Sequence, residues 1–513
     1  MNNILTKFND DCSQYKTDFG INIFHYQNVI SYINHELKKK GVKKSVSITI
    51  ILAFFLITAS GQFLPPDTVK VSPYGKVFIY KHSDIQENIV IMISGDGGWK
   101  YGIINFSQQF SKMNTLVIGV DILQYYKDLR QRKEDCFNVA ADFVNLATVI
   151  EKKYNFPNYR PPVLMGYSSG ATLVYGILAQ ARPGTFIGGI SLGFCPDFQL
   201  PKMLCQHNGL TENVLVNGKS FIYQPDPKLG NPWIVLNGKL DIICNYSVVT
   251  EFVSKTKDAE LVSLPNVGHG FTKWSDFMPQ WRDAYTRLID NYNKSLQPAT
   301  SDNQINELPL SITDARFQNN EASIALFISG DGGWYWFEQS MADSLSKLGV
   351  PTIGLDSKKY FWNKRDPDQT AGDIAKVLEY YAKKWDRDRF IILGYSFGAE
   401  IVPFLVTRLP VQIISNIEAS VLLSPNATTD FEIHILDMLG LGSRQNDYNV
   451  IEEIKKVKTG NILAIFGEAE DSQVSKQLTG TDVKIKYIPG DHHYNYDIPL
   501  IIKTLRNNNV FSN

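Results

Sequence analysis

The sequence has no dominant charge: 51 lysine and arginine residues stand against 52 aspartate and glutamate residues, a formal net charge of −1. With no long basic run in the folded part either, nothing steers the chain toward nucleic acid. Cysteine is scarce. Of five, Cys12 lies in an N-terminal extension, and Cys136, Cys195, Cys205 and Cys244 fall in the first half without the CxxC spacing of a zinc site or redox pair. A long apolar run is also missing: Ile48 to Ile57 falls short of the ~20 residues that span a bilayer. No Gly-Lys-Ser/Thr follows the glycine-rich loops, which excludes a P-loop, and their spacing does not fit a dinucleotide fingerprint. What is present is 44% hydrophobic and 12% aromatic residues in 513 positions, ample for the cores of two or three domains.

The short apolar run sits behind the basic cluster KKKGVKK, Lys38 to Lys44, and ends in Ala59-Ser60-Gly61. That pattern predicts an export signal cleaved before Gln62, or an uncleaved anchor, at 45–61. Residues 1–44 precede it as an extension, which translation from Val42 would shorten. Export makes the even cysteine count of the mature chain meaningful. Cys195 and Cys205 are the first pair to expect, although four thiols allow three connectivities.

Beyond this segment the chain aligns with itself. Asn88 to Trp99, NIVIMISGDGGW, matches Ser323 to Trp334, SIALFISGDGGW; Ile118 to Asp121, IGVD, matches Ile353 to Asp356, IGLD. Asp142 matches Asp373, and Asp197-Phe198 matches Asp430-Phe431. Two copies at this spacing are a tandem duplication rather than a solenoid. The polar stretch at 293–306 divides the copies into domains at 62–292 and 307–513. In each, apolar strands alternate with helices, which predicts a mostly parallel sheet covered by helices on both faces.

Each copy then carries a strand running into Gly-x-Ser-x-Gly: GYSSG around Ser168 and GYSFG around Ser396. This is the nucleophile elbow of an α/β-hydrolase, where the triad follows in the order serine, acid, histidine. A serine hydroxyl is a poor nucleophile at neutral pH and needs a base beside it and a carboxylate to orient the base. The second copy offers Ser396, Asp471 with Glu470 in reserve, and His492. The first offers Ser168, Asp241 and His269. Oxyanion donors are expected from the residue after each serine, Phe397 and Ser169, and from the SGDGGW loops at Asp331 and Asp96, whose glycines let backbone N–H groups approach. Trp99 and Trp334 wall a pocket or fill core. The His492-His493 pair has no partner at ligand spacing, so no metal is expected, and no cofactor. Histidines at loop ends and carboxylates after strands are ordinarily surface residues and helix caps; their joint, ordered and repeated appearance is what points to chemistry.

A duplicated unit with SGDGGW, IGxD, GYSxGA and a GHG or DHH loop behind an export signal resembles the AcvB/VirJ family of bacterial virulence proteins over nearly the whole mature chain. The resemblance implies a periplasmic serine hydrolase that cleaves the aminoacyl ester of aminoacyl-phosphatidylglycerol, lysyl-phosphatidylglycerol above all, with the activity in the second copy. It makes Ser396 the nucleophile, His492 the base and Asp471 its partner. A cationic lysyl head would favour carboxylates near the elbow, for which Asp331, Glu400 and Asp491 stand close in sequence, while Tyr335-Trp336-Phe337 or Tyr360-Phe361-Trp362 would face lipid. Two other readings compete: a non-catalytic periplasmic scaffold for a secretion system, and an esterase for another acyl group.

Overall fold

The apolar runs pair into two large sheets. The computed structural model describes residues 66–511, apart from 84–85, 201, 207–208, 216–219, 297–303, 318–322, 435–447, 459 and 471. The expected extension at 1–44 and the expected export signal or anchor at 45–61 lie outside the described residues. In the first lobe the strands are β1 (Asp67–Val71), β2 (Gly75–Tyr80), β3 (Asn88–Ile93), β4 (Thr115–Val120), β5 (Val163–Tyr167), β6 (Gly188–Leu192), β7 (Asp197–Phe198), β8 (Glu212–Val214), β9 (Phe221–Tyr223), β10 (Trp233–Gly238) and β11 (Ala259–Leu264). Eight of them form one sheet in the order β1-β2-β4-β3-β5-β6-β10-β11, and β7 to β9 form a small sheet of their own. Only β1–β2 and β2–β4 run antiparallel in the large sheet.

The second lobe has β12 (Leu310–Thr313), β13 (Ile324–Ile328), β14 (Thr352–Leu355), β15 (Phe390–Tyr395), β16 (Ile417–Leu423), β17 (Thr428–Thr429), β18 (Tyr448–Asn449), β19 (Asn461–Gly467) and β20 (Lys484–Ile488). Its seven-stranded sheet, β12-β14-β13-β15-β16-β19-β20, repeats the first order without the outermost strand. Central strands are buried along their whole length, as sheets covered on both faces require. Each lobe therefore has the α/β-hydrolase fold, with the serine-bearing strand, β5 or β15, in the middle of its sheet.

The repeated motifs are packing devices. A Cβ on Gly354 of IGLD would lie 2.3 Å from the Trp334 ring, and one on Gly119 of IGVD would lie 2.1 Å from Trp99, so the tryptophan of one motif occupies the space that the glycine of the other leaves free. The serine that opens SGDGGW takes the N–H of the next helix: Ile122 N donates to Ser94 Oγ (3.1 Å) and Ser357 N to Ser329 Oγ (2.9 Å). Tyr125 and Tyr360 donate to the matched Asp142 and Asp373, both at 2.7 Å.

The disulfides are Cys136–Cys205 and Cys195–Cys244, which corrects the expected Cys195–Cys205 pair. Phe137 N donates to Met203 O and Cys205 N to Phe137 O, so the 203–205 segment runs alongside Cys136. Cys195 instead follows β6, whose neighbour β10 leads into the loop with Cys244.

The two lobes pack together within one compact unit, Pro66–Asn513. Helix Met278–Ser295 ends the first lobe three residues into the expected linker, and Gln304–Glu307 forms a short turn before β12. Trp362 crosses from the second lobe into the first lobe's core: it is 2% exposed, donates from Nε1 to Phe156 O (2.9 Å), and lies under Lys152 Nζ (4.7 Å). Trp362→Ala is expected to destabilise the protein by about 3–5 kcal/mol, read as a lowered urea midpoint. Among the described residues no helix is long and apolar enough to cross a membrane.

Candidate active site

Both serines sit where the chain reverses from strand to helix. Ser168 has φ 54° and ψ −123° before helix Ser169–Gln180; Ser396 has φ 52° and ψ −119° before helix Phe397–Val406. Non-glycine residues avoid such φ values unless the surroundings enforce them. The flanking glycines provide the room. A Cβ on Gly394 would fall 2.3 Å from Gly398 O, and one on Gly398 would fall 2.2 Å from Ile328 O. The first elbow has the same constraint at Gly166 and Gly170, at 2.2 and 2.5 Å.

Each elbow meets a base and an acid. In the second lobe Ser396 Oγ lies 2.9 Å from His492 Nε2, and His492 Nδ1 lies 2.7 Å from Glu470 Oε1. In the first, Ser168 Oγ lies 3.0 Å from His269 Nε2, and His269 Nδ1 lies 2.9 Å from Asp241 Oδ2. The acid at His492 is thus Glu470, the reserve candidate. Asp471, the first choice, lies outside the described residues. Glu470 reaches the ring because Ser424 Oγ and Gly467 N both donate to its other oxygen at 2.7 Å. Burial works to raise its pKa, but the hydrogen bonds from His492, Ser424 and Gly467 outweigh burial and hold the carboxyl below its usual range.

The other expected residues divide. Phe397 opens the helix after Ser396, so its N–H is among the first-turn amides that have no partner within the helix. Asp331 lies in the loop beside it, where a Cβ on Gly330 would come within 3.6 Å of Ser396 Cβ. In the first lobe Ser169 Oγ donates to Asp96 Oδ1 at 2.7 Å, joining the two segments expected to carry the oxyanion donors. The proposed substrate contacts fare differently. Trp334 is buried over Gly354, with Nε1 donating to Gln339 Oε1 (3.0 Å), and does not line the cavity at Ser396. Glu400 is buried and accepts from Asn426 Nδ2 (2.7 Å), while Asp491 is exposed and accepts from His493 N (2.9 Å); neither lines that cavity. Of the two aromatic triplets, Tyr335-Trp336-Phe337 lines it, whereas Tyr360-Phe361-Trp362 is core.

That cavity, about 220 Å³, contains features absent from the sequence reading. Ser396, His492, Asp331 and Trp336 form one side; Ala140, Ala141, Val144 and Arg182 of the first lobe form the other. Arg182 pins the lobes together here, donating to Trp334 O (3.4 Å) and Gln339 Oε1 (2.8 Å). Tyr395, just before the serine, places its hydroxyl 2.6 Å from His493 Nδ1. Burial lowers the pKa of His493, assisted by neighbouring His492. Burial also pushes the Glu338 carboxyl, on the cavity wall, up to about 7. A single sequence carries no signal for a wall contributed by the other copy.

A family model described as bacterial virulence protein (VirJ) matches residues 87–183 and 322–509. Solved structures similar to the chain include Est1E from Butyrivibrio proteoclasticus, at 11% identity over 44% of this chain and 100% of that one, with a TM-score of 0.30. MenH from S. aureus is 13% identical over 39% of this chain and 98% of that one, with a TM-score of 0.29. The esterase domain from a Rhodothermus marinus protein is 14% identical over 44% and 98%, with a TM-score of 0.30. No curated protein matches the chain.

Proposed function

The chain belongs to the VirJ family of bacterial virulence proteins, and from that premise we propose that its second lobe is a serine ester hydrolase. The observation that carries this reading is the continuous chain of hydrogen-bonding distances Ser396–His492–Glu470 at the wall of a cavity. His492 Nε2 takes the proton of Ser396 Oγ as the oxygen attacks the acyl carbon, and returns it to the departing alcohol oxygen. Glu470 fixes the tautomer with the proton on Nδ1 and stabilises the imidazolium as it forms. Backbone N–H groups of Phe397 and Asp331 receive the developing oxyanion. Water, activated by the same histidine, then releases the acid from Ser396.

The proposed substrate is the aminoacyl ester of phosphatidylglycerol, lysyl-phosphatidylglycerol foremost, met at a membrane surface in the periplasm. The family resemblance suggests this substrate, and the cavity suits its head group. Asp331 and Glu338 line the wall, and an ammonium drawn beside Glu338 would favour the ionised carboxylate that burial disfavours. The test is release of radiolabelled lysine from lysyl-phosphatidylglycerol vesicles by the exported chain. No release by the wild-type protein would favour the scaffold or another ester. Asp331→Asn is expected to raise KM about tenfold for the lysyl lipid and much less for the alanyl lipid. Equal effects on both would remove cation recognition from the account.

A further inference from the structure

The first lobe repeats the constellation of the second. The elbow dihedrals agree within a few degrees, and the serine–histidine and histidine–acid distances of 3.0 and 2.9 Å compare with 2.9 and 2.7 Å. An elbow serine in this conformation costs on the order of 1–3 kcal/mol, a strain with no structural return in an inert lobe.

The two acids are held by different means. Gly193 N donates to Leu236 O after β6, and Ser424 N donates to Ile465 O after β16, which marks the two residues as equivalent. Ser424 uses its hydroxyl to hold Glu470. Gly193 has none, and a Cβ there would lie 3.3 Å from the His269 ring at a φ of 63°. Two residues on, Cys195 is anchored to the elbow helix by Thr172 Oγ1, which donates to its carbonyl (2.7 Å), and is bonded to Cys244. The N–H groups of Cys244 and Ile243 hold Asp241 Oδ1 at 2.8 and 2.9 Å, leaving Oδ2 for His269. Asp241 is thus held by backbone N–H groups of the loop that the disulfide ties to Cys195, and Glu470 by a hydroxyl and one backbone N–H.

We propose that Ser168, His269 and Asp241 form a second ester-hydrolysing centre, independent of Ser396, whose acid depends on the Cys195–Cys244 bond. Ser168 Oγ attacks the ester carbonyl while His269 takes the proton and passes it to the leaving alkoxide; water then cleaves the acyl–serine bond. The acid loop also suggests a class of substrate. Leu240, Ile242 and Ile243 flank Asp241 and are 61%, 90% and 65% exposed, an apolar rim suited to a carboxylic ester with a hydrophobic acyl or alcohol group. Reduction of the Cys195–Cys244 bond by an added dithiol, two electrons and two protons to give two thiols, would free the acid loop of this centre, while the acid of the second centre has no disulfide beside it because the second lobe contains no cysteine.

The experiment labels the whole protein with a fluorophosphonate and maps the modified serines. Ser396→Ala is expected to label at Ser168 and to hydrolyse p-nitrophenyl octanoate in preference to the acetate; Ser168→Ala/Ser396→Ala should do neither. Ile242→Asp should cut that chain-length preference about tenfold. Cys195→Ser/Cys244→Ser is expected to lower Ser168 labelling at least tenfold with Ser396 still labelled, whereas Cys136→Ser/Cys205→Ser keeps both. Dithiothreitol added to the folded Cys136→Ser/Cys205→Ser protein, which keeps only the Cys195–Cys244 bond, provides the same comparison by reduction. Absence of Ser168 labelling in folded Ser396→Ala protein overturns the second centre. Equal response of the two serines to dithiothreitol overturns the disulfide dependence. Lysyl-lipid hydrolysis by Ser168→Ala protein reports on the second lobe separately.

Discussion

In a chain already carrying Ser168→Ala, replacing Ser396 by alanine is expected to lower kcat for ester hydrolysis by about 10⁶-fold with KM nearly unchanged. Removing Oγ deletes the atom that forms the acyl-enzyme, but the walls that hold the substrate are untouched. Those walls belong to Asp331, Trp336 and the first lobe's Ala141 and Arg182, all of which stay in place. The thermal midpoint should hold as well, because alanine inherits the same φ of 52° and the same glycine neighbours. Steady-state kinetics and a melting curve check both halves. A loss of less than about tenfold would place the chemistry on another residue.

Glu470→Gln is the second large effect, a fall of about 10⁴-fold in kcat. An amide presented to His492 can donate to Nδ1 where the carboxylate could only accept. The imidazole then carries its proton on Nε2, 2.9 Å from Ser396 Oγ, and cannot receive one. The substitution also disturbs the bonds from Ser424 and Gly467 that aim the side chain. Asp471→Asn is expected to leave kcat within a few-fold of wild type, since Glu470 already occupies Nδ1. Measuring the two variants side by side decides between the neighbours. A crippled Asp471→Asn enzyme beside an active Glu470→Gln enzyme would reverse the assignment.

The sequence made the fold legible because apolar strands, elbow glycines and repeated motifs are local patterns, and each imposes a local geometry. Ser396, His492, Ser168, Asp241 and His269 were readable for the same reason, since strand ends at the carboxyl edge of a parallel sheet converge wherever the sheet order is known. The choice between Glu470 and Asp471 was not. Glu470 is aimed by Ser424, a residue 46 positions earlier. From its place at the end of the SGDGGW loop Trp334 could wall a pocket or fill core, and only the fold shows it committed to the space above Gly354. The disulfide pairing depended on the 203–205 segment lying against Cys136, a contact across 69 residues. The cavity's other half came from the first lobe, and nothing in a single chain records which faces of two copies meet.

The tryptophan that fills a glycine's missing side chain, present at Trp99 with Gly119 and at Trp334 with Gly354, also bears on descent. Neither residue is free to change first: an alanine at the glycine collides with the indole, and a smaller residue at the tryptophan leaves a hole. A pair locked in this way is one that a doubled unit would carry into both copies together. Relatives are therefore expected to keep both members or replace both together, even in a copy whose serine has been lost.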